Sequence, residues 1–547
     1  MRRRCVSLVA IFCLCAAQGL SLSPVGGQEP QEKQLSKEEL KKKLRKIQVG
    51  KDTTFIEGPL DAEGNVDFLA AMNARLSEGV TPENNAVVEL WMAAGPDFYS
   101  LETVGSREFF GEIGIRRFPS YDPFLVDWQD FALPPPAKEL TDEESDAEMA
   151  YAEENSQYYE LERRLLEASA RPWTDEEFPQ LAKWLERNEK PLKHIEKAVE
   201  RERFYEPMSW SLTSLEYELY EVAEPTVEAA LTASNLLAVR AMHRLGSGDL
   251  QGAAEDAYRL HRLAALVCLS PTSYAWQCGS DIRATACGAS RALADCPEAA
   301  SALLLAHLAK LGDMPKDKYL VERYDFFERL ICLAIMEHTI RSALKDADNE
   351  VRSSNRDLAK ALDAAFGNHF MDWSEPLRIG NRFFDQTAAA LRKPTVKETH
   401  EALGKVTDDY YEFVGEDEEE QPNLLLRIFQ QKSIGKALGR DVAKTLLDGY
   451  FYPADEYYDF YQQDRKLLDM TKIALAIAAY QRDNGTYPLS IATLTPRYLP
   501  LIPIDADNGR PYQIRLSVVS LGIDGQDDDV SQGYDDMDVR LRELPAK

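Results

Sequence analysis

The stretch TVEAALTASNLLAVRAMHRL-GSGD-LQGAAEDAYRLHRLAAL, residues 226–266, decides the fold. Its first part carries apolar side chains at helical spacing, namely Leu231, Leu236, Leu237, Val239, Met242 and Leu245. We expect Gly246 to close this helix and Gly248-Asp249 to turn the chain into a second one, residues 250–266. Because each helix has an apolar stripe to bury, the pattern predicts a helical hairpin.

The helical period extends on both sides of this hairpin and predicts a helical-stack domain over residues 151–447. Thr174-Asp175-Glu176-Glu177 reads as a capping box ahead of an apolar helix face. Further helices are predicted at residues 274–294, 298–311, 316–344, 355–366, 397–413 and 424–447.

The hairpin resembles one unit of the tetratricopeptide (TPR) family, with Ala254 and Tyr258 near that repeat's packing positions. No clear 34-residue period surrounds it. The resemblance implies an irregular helical stack that is TPR-like in part.

Composition limits the class of protein. The 547 residues include 63 Lys and Arg against 92 Asp and Glu, a net charge of −29. Hydrophobic residues make up 44% of the chain, which is enough for a buried core and argues against wholesale disorder. Such a negative charge repels phosphate backbones, so we expect no nucleic-acid partner and instead a protein or cell-envelope partner.

The N-terminus has the pattern of a signal peptide, residues 1–19. Three arginines precede an apolar run, and Ala17-Gln18-Gly19 supplies small residues before a cleavage point. We therefore expect export to the periplasm or the extracellular cell surface, with no transmembrane segment after cleavage. Residues 20–50 are predicted to be a linker and a short charged helix.

Residues 51–133 form a mixed N-terminal segment, and residues 134–150 a Pro-rich and acidic linker. Thr81-Pro82-Glu83-Asn84 predicts a helix start with Thr81 as N-cap. Asn84, Asn85 and Glu89 invite a functional interpretation, but first-turn residues and a solvated acid explain them more simply.

Five cysteines follow the signal: Cys268, Cys278, Cys287, Cys296 and Cys332. Their spacing contains no C-x-x-C pair, which disfavours a zinc site. They could form one or two disulfides in an oxidising compartment, or serve as small buried hydrophobic residues.

Catalytic templates are mostly missing from the chain. It contains no G-x-S-x-G, G-x-G-x-x-G, Walker A or H-E-x-x-H motif. His261 lies seven residues before Cys268, on one helix face, so a Cys–His pair is conceivable without a third orienting group. Asp408-Asp409 could serve glycosidase chemistry if a second acid lay at the right distance.

An aromatic cluster precedes the C-terminal region: Tyr450, Phe451, Tyr452, Tyr457, Tyr458, Phe460 and Tyr461. It could be a ligand platform. We favour a seam between packed units, where aromatic rings bury a large area.

Residues 455–547 carry the most specific motifs. A helix is followed by DNG-x-YP (483–488), L-x-P-x-YLP (494–500), P-x-D (503–505), NG-x-PY (508–512) and SLG-x-DG (520–525). This order resembles the globular head of the type II secretion major pseudopilin. The resemblance implies a small α+β domain and a Ca²⁺ site in its acidic loop, with Asp524, Asp527, Asp528 and Asp529 as ligands.

Residues 57–85 and the exported helical body also resemble uncharacterised secreted proteins of planctomycete bacteria, a resemblance that brings no activity. The expected fold class is mainly α with this C-terminal α+β module. The leading hypothesis is a non-enzymatic binding or scaffold protein. The alternatives are an envelope hydrolase whose carboxylates converge only in the fold, and a secretion accessory with a calcium-stabilised head.

Overall fold

A computed structural model describes residues 47–96, 98, 106–118, 124–132, 157–214, 219–222, 224–314, 320–348, 372–415, 434–514, 517–520 and 537–540. The mainly helical fold is confirmed. None of the described helices combines the length and apolar character that a membrane span requires.

The helices of the first half are short: α1 (Phe68–Leu76), α2 (Ala86–Ala94), α3 (Ser106–Glu112), α4 (Trp128–Ala132), α5 (Gln157–Ala170), α6 (Pro179–Arg187) and α7 (Glu189–Ala198). Longer helices follow: α8 (Pro225–Ser247), α9 (Leu250–Val267), α10 (Ser273–Asp295), α11 (Ser301–Gly312), α12 (Arg329–Asp348), α13 (Glu375–Leu391), α14 (Val396–Val414), α15 (Ile434–Tyr450) and α16 (Ala454–Asn484). A turn of α-helix, Leu320–Glu322, and a π-helical segment, Arg323–Glu328, lead directly into α12.

The strands are few and antiparallel. Strands β1 (Trp210–Ser214) and β2 (Leu219–Val222) form a two-stranded ribbon. Near the C-terminus, β3 (Gln513–Ile514), β4 (Ser517–Ser520) and β5 (Met537–Arg540) form a sheet in that order.

The predicted hairpin is present as α8 and α9. Gly248 ends α8 with φ of +84°, a left-handed conformation that glycine adopts without steric cost. Asp249 caps α9, because its carboxylate accepts the Gly252 amide. Fully buried leucines such as Leu236 and Leu260 each stabilise the hairpin by about 1.5–3 kcal/mol.

Two hydrophobic cores account for most of the interior. The first is built on α2 and α8–α11, and it includes the middle of α16, from Met470 to Ala479. The second is built on α1 and α12–α15, with Leu333, Leu377 and Leu447 buried in it. A small third cluster, which includes Tyr324 and Tyr458, lies along the start of α16.

The N-terminal part of the described chain crosses between these cores. Phe68 and Met72 belong to the second core, whereas Val87 and Trp91, a few residues later, belong to the first. The predicted domain boundaries stay predictions, but the N-terminal segment does not bury its apolar residues in a core of its own.

Three predicted helix boundaries were wrong. Helix α2 starts at Ala86 with Asn85 as its N-cap, because the Asn84 side chain instead closes a turn onto the Thr81 amide. The predicted capping box at residues 174–177 forms a turn, and α6 starts at Pro179 without a side-chain cap. Gly246 lies inside α8.

Candidate functional site

The two cores meet at residues 203–208, a segment between α7 and β1 that we call the strap. Phe204 is buried in the first core and Met208 in the second. The strap therefore crosses from one core to the other within five residues.

Two asparagine side chains hold the strap by its main chain. Asn85, in the first core's helix cap, donates to the Tyr205 carbonyl at 2.8 Å and accepts the Tyr205 amide at 3.0 Å. Asn73 of α1 likewise donates to the Met208 carbonyl at 3.1 Å and accepts the Met208 amide at 2.7 Å. Each amide satisfies one buried donor and one buried acceptor, so the strap is fixed to both cores.

Glu206 lies between these two attachments and is 7% exposed. The Thr226 hydroxyl donates to its Oε2 at 2.5 Å, since the hydroxyl oxygen already accepts the Trp91 indole N–H at 2.9 Å. Its Oε1 has no hydrogen-bond partner among the described residues. Burial raises the pKa of Glu206 to about 8, against the opposing effect of the Thr226 hydrogen bond, so the side chain is mostly protonated at pH 7.

Glu224, immediately before α8, is the second acid of the site. It accepts hydrogen bonds from the Ser270 hydroxyl at 2.7 Å and the Thr272 hydroxyl at 2.5 Å. Burial raises the pKa of Glu224 to about 7, although these hydroxyls and the charge of Arg323 favour the ionised form. The two glutamates therefore differ in environment: the hydroxyl and the backbone amide of Thr226 both donate to one oxygen of Glu206, whereas each oxygen of Glu224 accepts from a hydroxyl.

The π-helical segment supplies the remaining charged groups. Arg323 is buried and donates through Nη2 to the Cys268 carbonyl at 2.7 Å. Glu328 accepts the Ser273 amide at 2.7 Å, and burial raises the pKa of Glu328. The buried Tyr324 hydroxyl has no hydrogen-bond partner within the described chain. Wide helical turns of this kind often occur at functional sites because they re-aim side chains.

Glu206 and Glu224 face a common cavity of about 10 Å³, which has room for roughly one water molecule. Its other lining residues are Leu76, Phe204, Tyr205, Met208, Ser270 and Pro271. A protonated acid beside one that titrates near neutrality is the pairing that general acid–base chemistry uses. A cavity of this size admits water and no larger substrate.

A larger concave surface lies on the second core. This groove has a volume of about 320 Å³ and is lined by Arg382, Phe383, Gln386, Asp409, Glu412, Phe413 and Arg440. The Arg440 guanidinium lies 4.6 Å from the centre of the Phe413 ring, and Arg382 lies 5.3 Å from that of Phe383. The groove thus has the size of a small-ligand site and presents both signs of charge.

The structure tests only some of the predicted site residues. Asp524, Asp527, Asp528 and Asp529 lie outside the described residues. Within the described ranges, no group of three or more His, Cys, Asp or Glu could hold a metal ion. Asp408 and Asp409 are both exposed, and Asp409 lines the groove.

His261 and Cys268, which could have formed a Cys–His pair, contact other residues instead. His261 is hydrogen bonded to Ser290, whereas the Cys268 thiol lies 3.4 Å from Nη2 of Arg283. All five cysteines are free thiols, and four of them are buried. The disulfide interpretation is therefore wrong, and the cysteines are small packed side chains.

Most rings of the aromatic cluster pack between helices. Tyr457 contacts Trp276 of α10 and Tyr324 of the π-helical segment, and Tyr461 also contacts Trp276. Tyr452 and Phe460 are the exposed members.

Glu89 was wrongly predicted to be solvated. It is largely buried and hydrogen bonded to His194 at 2.7 Å and to Arg201 at 2.9 Å. These contacts lower the pKa of Glu89, the His194 hydrogen bond having the largest effect.

Sequence reasoning missed Glu206 and Glu224. Each glutamate comes directly before a proline, Pro207 or Pro225. Proline favours an extended backbone at the preceding residue, so the sequence weakly indicates that both acids lie outside helices. Nothing in the sequence brings these two acids together with residues 270–272 and 323–328.

Compared with known proteins, the chain matches no family model, no curated protein and no solved structure. The fold is that of a mainly helical protein whose two cores are joined at a strap. Because no relative was found, its function is argued from its own residues.

Proposed function

We propose that the protein is an exported, non-enzymatic binding or scaffold protein, and that the groove of Arg382, Phe383, Asp409, Phe413 and Arg440 holds its partner. The size and mixed charge of this groove carry the proposal. Export is supported by the signal-like pattern of residues 1–19.

Binding suits the groove better than catalysis. Its acids, Asp409 and Glu412, are exposed to water, and the described residues that line the groove form no enclosed pocket around them. Two buried aromatic rings beneath guanidinium groups instead offer a rigid surface with charged edges, which is typical of recognition sites.

A pull-down with matched variants tests this proposal. The full chain, its Asp409→Asn/Arg440→Gln variant and its Asp408→Asn control are used as bait for a cell-envelope fraction at several salt concentrations. We expect recovery of a partner to fall about tenfold with the groove variant, since one or two charged contacts of about 1.4 kcal/mol in total are lost. Equal recovery by all three baits, or none by the wild type, would overturn it.

The Glu206–Glu224 pair favours a second candidate, an envelope hydrolase. The pair supplies an acid and a base whose pKa values lie near 8 and 7. Substrate access would require the strap to move. Glycoside and ester panels test it: activity should disappear in both Glu206→Gln and Glu224→Gln and persist in Glu202→Gln, at an exposed position of the preceding turn.

A third candidate is a secretion accessory with a pseudopilin-like head. Its support is the motif order of residues 483–525 and the antiparallel sheet that follows α16. Ca²⁺ would be held by Asp524, Asp527, Asp528 and Asp529. Calcium should raise the melting temperature of the wild type, and a shift that persists in Asp524→Ala and Asp527→Ala variants would remove this metal site.

A further inference from the structure

The strap combines three features that belong to no part of the proposed binding function. It crosses between the two cores, an asparagine side chain from each core holds its main chain, and its only acid is buried and faces a cavity. The Glu206 carboxyl is also the strap's link to Thr226 at the start of α8. The protonation state of Glu206 therefore affects a contact that holds the strap against α8.

The groups around Glu206 cannot compensate a second negative charge. On the strap itself Tyr205 is the neighbouring titratable group, and Arg203 is exposed with its guanidinium beside Gly79. Helix α8 is preceded by Glu224. The π-helical segment contributes Arg323, Tyr324 and Glu328, and α16 contributes Asp455 and Tyr457 near Tyr324. Glu112 acts on Tyr205 from α3. Arg323 is the one buried cation among the residues named, and it already faces Glu224 and Glu328.

We propose that the strap is a proton-operated joint between the two cores, which is closed while Glu206 carries a proton and opens when Glu206 is ionised. In the closed form Glu206 accepts the Thr226 hydrogen bond without a net charge. Ionisation leaves a desolvated carboxylate whose Oε1 has no donor among the described residues, so the strap releases it to water.

The pH dependence has a definite sign. A solvated glutamate titrates near 4.5, and the folded pKa is about 8. Between these values the open form has lost a proton that the closed form keeps. The opening equilibrium therefore rises about tenfold per pH unit from about pH 5 to pH 8 and levels off above it.

Hydrogen exchange of the full chain tests the joint. The amides of Tyr205 and Met208, held by Asn85 and Asn73, report opening after correction for the intrinsic pH dependence of exchange. The comparison is made above pH 7, where Glu224 is already largely ionised in the closed form. There we expect opening to rise with pH in the wild type and in Glu202→Gln, and to rise little in Glu206→Gln, whose neutral amide cannot ionise. An equal slope in Glu206→Gln, or a flat wild-type profile, overturns the proposal.

Two further measurements keep the test decisive if Glu206→Gln does not fold. Glu224 also contributes to the infrared band of protonated carboxyl groups below pH 7, so the step that reports Glu206 is the loss of band intensity near pH 8. A wild type without that step overturns the proposal.

Asn73→Ala removes one attachment without touching Glu206, so it should increase opening at every pH and keep the slope. A changed slope in that variant would mean that the acid is not the group that operates the joint.

Discussion

At the scale of single residues, a buried hydroxyl between two histidines shows how a polar core group is satisfied. Ser290 of α10 lies 3.0 Å from Nε2 of His261 and 2.9 Å from Nε2 of His307. A hydroxyl has one hydrogen, so it can donate to at most one imidazole and must accept from the other. At least one of the two rings is therefore the Nε2–H tautomer, and a ring that accepts the hydroxyl hydrogen through Nε2 loses that hydrogen bond if it is protonated there.

Replacing Ser290 with alanine should destabilise the protein. The variant leaves two buried imidazole nitrogens without their partner, which costs about 2–4 kcal/mol in the free energy of unfolding. Thr285→Ala is the matched control, because Thr285 is only half-buried on the same helix and lies away from the two histidines. Urea unfolding measures both variants. A Ser290→Ala midpoint as high as that of the control would show that the hydroxyl contributes nothing.

The same pair predicts a loss of stability in acid. Burial lowers the pKa of His307 to about 4, with Lys310 adding to the effect, whereas an unfolded histidine titrates near 6.5. Between these values the unfolded chain binds the extra proton, so stability falls as the pH drops from 6.5 to 4, by about 3 kcal/mol in total.

Equilibrium unfolding across this pH range checks the effect. The neutral variant His307→Gln should lose the part of the slope due to His307. The control His400→Gln, at a half-exposed position, should keep that part. A wild-type slope that survives in His307→Gln would assign the acid sensitivity to other groups.

At the scale of elements, periodicity located the long helices well and their ends poorly. Apolar spacing alone predicts α8, α9, α10 and α14 to within one or two residues, because these helices bury one continuous stripe. The start of α2 depends on whether Thr81 or Asn85 caps it, and that choice is decided by Asn85 reaching the strap. No local pattern contains this information.

Two helical glycines should respond in opposite ways to alanine. A Cβ at Gly246 would lie 2.0 Å from the Trp173 carbonyl oxygen, which belongs to the backbone and cannot move aside cheaply. Gly246→Ala should therefore destabilise the protein by about 1–3 kcal/mol. At Gly288 in α10 nothing lies within 4 Å, so Gly288→Ala should stabilise it by about 0.5–1 kcal/mol.

Thermal unfolding of the two variants is the measurement. Both changes remove the same backbone freedom, so the difference between them isolates the contact with Trp173. Equal shifts of the two melting temperatures would mean that α8 can move away from that carbonyl.

At the scale of the whole molecule, the arrangement of the cores could not be predicted from sequence. The pattern indicates that Phe68, Trp91 and Ile477 are buried, but it does not indicate which core receives each. The candidate site could not be predicted for the same reason. Glu206 lies on the strap, Glu224 directly before α8 and Glu328 in the π-helical segment, and only the packed fold brings these segments together. Local periodicity reports burial, whereas contacts between distant segments depend on the complete packing.

The attachment of α16 to the stack supplies a last prediction. Arg283 of α10 and Asp464 of α16 are both largely buried, with Nε 2.8 Å from Oδ2, although the two atoms are not aligned as a hydrogen bond. Arg283→Met leaves the Asp464 carboxylate buried without its guanidinium, which should cost about 3–5 kcal/mol. Met470 and Ile473 of the same helix are buried in the first core, so loosening this end should expose apolar surface there.

The exposed pair Arg497–Asp483, 2.7 Å apart, provides the control. Arg497→Met should cost less than about 1 kcal/mol, because water and salt already screen that pair. Denaturant unfolding gives the two energies, and limited proteolysis shows whether α16 is released first. The double variant Arg283→Met/Asp464→Leu should recover most of the loss, since it removes both buried charges together. If the double variant is as unstable as Arg283→Met, the missing contact is the arginine's packing and the charge pair does not hold α16 in place.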